Sequence, residues 1–90
     1  SICSFVRHSK DGKKNLLFVC NVTPMERPDY RVGVPKRKQY KLILNSDDAK
    51  YGGSGEERPL IYKSVLGECD GQKYSFEYPL PAYGVAVFEY

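Results

Sequence analysis

The sequence predicts an all-β domain, an antiparallel β-sandwich of about seven to eight strands with Greek-key connections. Three observations support this prediction. Apolar and polar residues alternate along most segments with the period of a strand, and no segment has a convincing helical period. Turn residues separate the segments at short intervals. The 90 residues, 41% of them hydrophobic, are enough for one small core.

The first two strands are predicted to form a hairpin. Ile2 to His8 is the first strand and Asn15 to Thr23 the second, and between them Asp11-Gly12 suits the positive φ angles of a type I′ turn. A two-residue turn there sets these pairs opposite each other: Phe5 and Phe18, Val6 and Leu17, Cys3 and Cys20. Both faces of the second strand are apolar, so we expect it to be central and covered on both sides.

Two further strands follow a loop from Pro24 to Pro28. The alternation predicts that the inward residues are Tyr30, Val32 and Val34 on the first of them and Tyr40, Leu42 and Leu44 on the next, with Arg31, Gly33, Lys41 and Asn45 pointing outward. A turn from Pro35 to Gln39 separates the two strands. Ser46 to Pro59 is a long connection, and a loop of this length in a small domain is often functional or mobile.

A second hairpin is predicted around Asp70-Gly71, between a strand from Leu60 to Glu68 and one from Gln72 to Leu80. Its register places Glu68 opposite Lys73 and Val65 opposite Phe76. The expected inward residues are Tyr74, Phe76, Tyr78 and Leu80. The last strand, Tyr83 to Tyr90, is again apolar on both faces.

The net charge of +3 is mild, and the basic residues cluster near one turn. The cluster consists of Arg31, Lys36, Arg37, Lys38 and Lys41. We interpret it as a charged hairpin tip that keeps a strand edge soluble, with a phosphate-binding patch as the alternative. A nucleic-acid-binding domain needs exposed aromatic residues among the basic ones, and only Tyr30 and Tyr40 flank this cluster, so we predict no nucleic-acid partner.

The three cysteines, Cys3, Cys20 and Cys69, have no metal-type spacing and are odd in number. This argues against a zinc site and a disulfide-stapled secreted scaffold, so we expect reduced thiols and a cytoplasmic location. A Cys3–Cys20 disulfide in oxidising buffer stays open as an alternative. The sequence shows no signal peptide and no membrane-spanning run. Its start, Ser-Ile-Cys, suggests a piece of a larger protein.

No catalytic constellation is found in the sequence. His8 is the sole histidine, and its odd spacing from Cys3 places the two on opposite faces of a strand. The acidic pairs Asp47-Asp48 and Glu56-Glu57 are interpreted as solvated loop residues. We therefore predict no catalytic, metal-binding or cofactor-binding residue in this chain.

The glycine-rich loop YGGSG, residues 51–55, lacks the lysine and the helix of a phosphate-binding P-loop. One interpretation is a turn whose glycines adopt conformations closed to other residues. The other gives Tyr51 a packing or sugar-contacting role, because aromatic faces stack on sugar rings, with Asn45 or Asp47 bonded to hydroxyl groups. Most other tyrosines alternate with polar residues, which favours core positions for Tyr40, Tyr74 and Tyr78.

Several segments, taken in order, carry a resemblance to a known family: SFVR, NLLFVCNVTP, YRVGVP, LILNSD, YGGSG and PLPAYGVAVFEY. The chain resembles the C-terminal all-β domain of the 1,4-alpha-glucan (glycogen) branching enzymes, which are members of the alpha-amylase family. The stretch from Glu56 to Lys73 is not placed by this resemblance. YRVGVP and YGGSG favour branching enzymes over other enzymes of the family, whose equivalent domain is the nearest alternative.

The resemblance implies a supporting domain and no activity of its own. In such enzymes a (β/α)8 barrel carries the catalytic residues, cuts an α-1,4-glucan and transfers it to a 6-hydroxyl. Residues 1–90 would then be one C-terminal domain that packs on the barrel, with α-glucan as a further candidate partner. The candidate contacts to glucan or barrel are Asn45, Asp47, Tyr51, Gly52, Gly53 and Ser54. We expect an exposed apolar patch on one sheet and self-association of the isolated domain. A free-standing glucan-binding module is a second alternative.

Overall fold

The computed structural model describes residues 2–90, which form eight strands and one short 3-10 helix, Ala49–Tyr51. The strands are β1 Ile2–His8, β2 Asn15–Asn21, β3 Arg27–Val34, β4 Gln39–Asn45, β5 Ile61–Lys63, β6 Val65–Cys69, β7 Gln72–Leu80 and β8 Val85–Glu89. They make two antiparallel sheets, of order β1-β2-β8-β4-β5 and β3-β7-β6. The predicted all-β sandwich is confirmed. Within residues 2–90, no helix is long and apolar enough to cross a membrane.

The core lies between the two sheets and is mostly aromatic at its centre. The ring of Phe88, on β8, meets the rings of Phe76 and Tyr78, on β7, edge to face at centroid distances of 5.2 and 5.1 Å. Tyr62 packs edge to face against Phe88 and Tyr78. Edge-to-face pairs are favourable because the positive ring edge meets the negative face of its neighbour. The predicted core positions of Tyr40 and Tyr78 are confirmed, and Tyr74 is half-buried against this core.

The first hairpin has the predicted register but a different turn. Phe5 lies opposite Phe18 and Cys3 opposite Cys20. Within residues 2–90, only Asp70 and Tyr83 are non-glycine residues with positive φ, so Asp11 does not adopt the type I′ conformation. Instead the Gly12 amide donates to the Ser9 carbonyl, and the Asp11 carboxylate accepts hydrogen bonds from the Ser9 hydroxyl and the Lys13 amide. The longer loop is centred on the same two residues, which leaves the register unchanged.

A β-bulge in β4 overturns part of the predicted inward face. Leu42 pairs with Phe88 and Leu44 with Val87, so Ile43 is an extra residue on β4. An inserted residue shifts the alternation of side chains beyond it by one position. Leu44, predicted inward, is therefore exposed, while Tyr40 and Leu42, before the bulge, are buried as predicted.

The predicted strand from Leu60 to Glu68 is wrong, because it divides at Ser64. β5 pairs with β4 in the five-stranded sheet, whereas β6 pairs with β7 in the three-stranded sheet. The buried Ser64 forms the corner: its hydroxyl accepts from the Lys38 amide at 2.9 Å and donates to the Lys36 carbonyl at 2.9 Å. These bonds attach the β3–β4 turn to the point where the chain changes sheets.

The second hairpin has the predicted turn, with positive φ at both Asp70 (50°) and Gly71 (77°), as type I′ requires. Cys69 pairs with Gln72, but the register shifts by one residue farther from the turn. Val65 consequently lies opposite Ser75, not Phe76. Gly33 lets the hairpin tip approach β3, since a Cβ there would lie 2.3 Å from the Cys69 carbonyl oxygen.

Candidate functional site

The outer face of the five-stranded sheet, which points away from the core, carries an apolar row across four strands. In this row Phe5 lies opposite Phe18, Phe18 opposite Val87, and Val87 opposite Leu44. The rings of Phe5 and Phe18 are stacked, with centroids 4.9 Å apart and planes inclined by 4°. These four residues, with Val85 and Ile61 on the same outer face, are called the apolar face below.

The apolar face is open at its edges. Phe5, Leu44, Val85 and Ile61 are all exposed, and only Val87 is fully covered by its neighbours. The prediction that β2 is covered on both sides is therefore wrong for this chain, because Leu16, Phe18 and Cys20 on its outer side are only half-buried. β2 is nevertheless a central strand, between β1 and β8. Its outer side is apolar, as in a strand buried between two layers, but no second layer formed by residues 2–90 packs against it.

The outer face of the three-stranded sheet is more polar, although Val65, opposite Ser75, is exposed on it. There the Arg31 guanidinium donates to the Ser75 hydroxyl at 2.8 Å and to the Glu77 carboxylate at 2.9 Å. Gly67 lies beside the same Ser75 hydroxyl, because a Cβ on Gly67 would be 3.1 Å from its oxygen. A solvated polar face needs no partner, so the difference between the two outer faces identifies the five-stranded sheet as the side suited to an interface.

A groove of about 390 Å³ adjoins the apolar face, between the end of β4 and the loop of residues 46–60. Its lining combines apolar side chains from β4 and Leu60 with polar and charged side chains from the loop. Tyr51 is 54% exposed at this groove, with the Lys50 ammonium 5.2 Å from the centroid of its ring. The predicted site residues Asn45 and Tyr51 both line it.

Gly52 and Gly55 have the positive φ angles that the first interpretation of the YGGSG loop expected, whereas Gly53 is required for another reason. Gly52 ends the 3-10 helix with φ of 78°, and its amide donates to the Ala49 carbonyl. Gly53 packs against the chain so closely that a Cβ would lie 2.3 Å from the carbonyl carbon and oxygen of Asp47. Both positions thus require glycine for geometry, one for its φ and one for the space.

Asp47 cross-links this loop, and Arg58 joins it to the sandwich. Its carboxylate accepts from the Ser54 amide and hydroxyl and forms a salt bridge of 2.9 Å with Arg58, whose side chain is only 4% exposed. Arg58 also donates to the Pro79 carbonyl at the end of β7. The Ser54 hydrogen bonds, with the Arg58 guanidinium beside them, lower the pKa of the Asp47 carboxyl below its ordinary value.

Of the six predicted contact residues, the structure leaves Tyr51 as the one with a large exposed side chain. The Asp47 carboxylate accepts a hydrogen bond from the Ser54 backbone amide. The side-chain oxygen of Asn45 accepts one from the Asp47 backbone amide at 3.0 Å. Sequence reasoning missed Arg58, which organises the loop, because a charged residue among Glu56, Glu57 and Pro59 gives no sign of burial. No cluster of three or more metal-ligating side chains occurs within residues 2–90.

A family model described as the alpha-amylase C-terminal all-beta domain matches residues 1–90, the whole chain. The chain belongs to the alpha-amylase C-terminal all-beta domain family. This confirms the resemblance found in the sequence, and an eight-stranded, two-sheet structure agrees with the all-β description.

Curated proteins similar to this chain include 1,4-alpha-glucan branching enzymes. The chain is 50% identical over 88 residues to the 1,4-alpha-glucan branching enzyme of Butyrivibrio fibrisolvens, covering 98% of the chain. It is 52% identical over 89 residues to that of Francisella tularensis subsp. tularensis and 39% identical over 89 residues to that of Halothermothrix orenii, covering 99% of the chain in each case. The chain spans only 14% of the length of each of these relatives.

Proposed function

We propose that this domain is the non-catalytic C-terminal part of a longer 1,4-alpha-glucan branching enzyme, and that its apolar face docks on the catalytic portion of that enzyme. The parent protein would cleave α-1,4-glucan and form α-1,6 branches in glycogen biosynthesis, in the cytoplasm. This chain would contribute stability and shape to the catalytic portion, with no reacting group of its own.

The apolar face is the observation that carries the proposal. Phe5, Phe18 and Leu44 form an outward surface that a sheet exposed to water would not need, while the opposite sheet is polar outside. An exposed apolar surface on a small domain marks an interface. The matching relatives are about seven times as long as the matched segment, so the remainder of such a chain is available to cover the face.

A chimaera tests the docking. This chain replaces the matching 88-residue segment of the Butyrivibrio fibrisolvens enzyme, and thermal unfolding is compared with that of the enzyme lacking the segment. We expect branching activity and one unfolding transition above that of the truncated enzyme, since docking on the native state stabilises both parts. Phe5→Asp should uncouple the transitions. The docking proposal is wrong if two results are found together. The chain in the chimaera unfolds at the temperature at which it unfolds in isolation, and the truncated enzyme is as stable as the catalytic portion of the chimaera.

A second candidate function is glucan binding at the groove. Tyr51 supports it, because an exposed tyrosine at a groove, on a loop held by hydrogen bonds, is suited to stack on a sugar ring. The Asp48 and Lys50 side chains beside it offer hydrogen bonds to hydroxyl groups. Affinity electrophoresis of the chain in gels with and without glycogen measures the binding. Retardation that Tyr51→Ala removes, and Tyr83→Ala does not, would support this site; unchanged mobility of the wild type at saturating glycogen would argue against it.

A further inference from the structure

Tyr83 combines an unfavourable backbone conformation with an exposed aromatic side chain. Its φ of 49° lies in the left-handed region, which a tyrosine seldom adopts. Its side chain packs little against this chain, because the residue is 69% exposed. A residue in a sparsely populated conformation persists where the surrounding structure imposes it, and such positions are often functional.

The loop around Tyr83 is held from several sides. The Tyr83 amide donates to the Thr23 carbonyl at 3.0 Å, and the Gly84 carbonyl accepts from the Asn21 amide at 2.8 Å. The buried Asn21 side chain joins the two loops at this end, donating to the Pro81 carbonyl and to the Met25 carbonyl. The conformation of Tyr83 is therefore imposed by bonded neighbours, and its ring is presented from a rigid base.

Exposed apolar residues surround this end of the sandwich. Val22 and Met25 belong to the loop that Asn21 and Thr23 organise, and each is 63% exposed. Val85 follows Gly84 directly and is part of the apolar face. Apolar side chains are therefore exposed both on the sheet face and at the end of the sandwich where Tyr83 lies.

We infer that Tyr83 is an anchor residue of the docking interface, with Val22 and Met25 beside it, and that its partner is the catalytic portion of the same longer enzyme. This inference rests on the proposed docking function and assigns it a second contact area. Tyrosine is among the residues that most often dominate interface energies, since it brings a large rigid surface at a small cost in side-chain entropy.

The polar groups around Tyr83 favour a protein partner over a sugar. The Thr23 hydroxyl donates to the Asn21 amide oxygen, and the Val85 amide donates to the Ser46 hydroxyl. These groups are already used within the domain, whereas a sugar site needs polar groups aimed at hydroxyls. An apolar rim around an aromatic side chain is suited to a protein surface.

The test measures Tyr83→Asn in two settings, because asparagine enters the left-handed region more readily than tyrosine. In the isolated 90-residue chain, the variant should unfold at the same temperature as the wild type or above it. In the Butyrivibrio chimaera, trypsin should cut the junction at least about tenfold faster, since cleavage tracks the undocked population. Leu66→Asn is the matched control, because Leu66 is 68% exposed on the edge of the other sheet, and it should leave the cutting rate unchanged.

Each result decides between the two proposals. If the wild-type chimaera unfolds in two independent steps, docking itself is wrong and this inference falls with it. If the wild-type chimaera docks and Tyr83→Asn is cut no faster, only the role of Tyr83 is overturned. The same holds if Tyr83→Asn destabilises the isolated chain as much as the chimaera, or if it abolishes retardation by glycogen without changing the cutting rate.

Discussion

At the scale of single residues, the Asp47–Arg58 salt bridge cross-links the long loop in a largely buried position. The side chains of Asp47 and Arg58 are 14% and 4% exposed. Those of Glu77 and Arg31, which form the other ion pair, are 59% and 41% exposed. Removing one partner of a buried pair leaves a buried charge without compensation, and an exposed pair contributes little. These two ion pairs thus have different physical consequences.

We expect Asp47→Asn to lower the free energy of unfolding by about 2–3 kcal/mol, because it leaves the Arg58 guanidinium buried without its counter-charge. Glu77→Gln, the matched control, should change it by less than about 1 kcal/mol. Urea denaturation of both variants measures the difference. Equal effects of the two substitutions would contradict the structural role assigned to Asp47.

The same carboxylate predicts a dependence on pH. The pKa of Asp47 is lowered in the folded state, so its stabilising effect is fully present above the unfolded pKa of about 4 and is lost as the pH falls through the folded value. Urea midpoints of wild type and Asp47→Asn should therefore converge below about pH 4. A difference that persists undiminished at the lowest pH would show that charge is not the cause.

At the scale of elements, the corner at Ser64 links the two sheets. One hydroxyl serves the Lys38 amide and the Lys36 carbonyl at once, in a buried position. We expect Ser64→Ala to cost about 1–3 kcal/mol of stability, because it leaves the Lys38 amide without its acceptor. Chemical denaturation measures the loss, with Ser4→Ala, on the exposed side of β1, as the control; a loss no larger than that of Ser4→Ala would contradict the role of the corner.

At the scale of the whole molecule, the apolar face predicts self-association of the isolated chain. Without a partner, burying this surface between two copies removes apolar area from water. Sedimentation velocity should show an average mass that rises with protein concentration. Phe5→Asp should abolish the rise, and Leu66→Asp, on the other sheet, should not. A chain that stays monomeric at millimolar concentration would contradict this expectation.

The tyrosine-rich core predicts instability in alkali. Burial raises the pKa of Tyr40 to about 12, and burial also raises the pKa of Tyr62 and Tyr78. A raised pKa in the folded state means that the stability is complete below the unfolded value of about 10 and is lost as the pH rises through the folded value. The absorbance of ionised tyrosine at about 295 nm and the fraction of unfolded protein should then rise together above pH 10. Ionisation of every tyrosine near pH 10 with the fold intact would contradict the buried placement.

The sequence alone was sufficient for the local features of this domain. The strands other than β5 and β6, the Asp70-Gly71 turn and the pairing of Phe5 with Phe18 follow from alternation and turn residues, which act between near neighbours. The predicted register of the β1–β2 hairpin is correct although the predicted turn type is wrong, because the predicted and the observed turn are both centred on Asp11 and Gly12. The glycines of the YGGSG loop were also interpretable, because their geometric need is local.

Tertiary structure alone decided which surfaces these elements present. The bulge that turns Leu44 outward, the change of sheet at Ser64 and the burial of Arg58 each depend on a residue far away in the sequence: Val87, Lys38 and Pro79, respectively. Periodicity carries no information about such contacts, because it reports which residues share a face and not what lies opposite that face. The apolar face and the exposed Tyr83 became visible only when β1, β2, β8 and β4 were assembled into one sheet and the loops at its end were joined through Asn21.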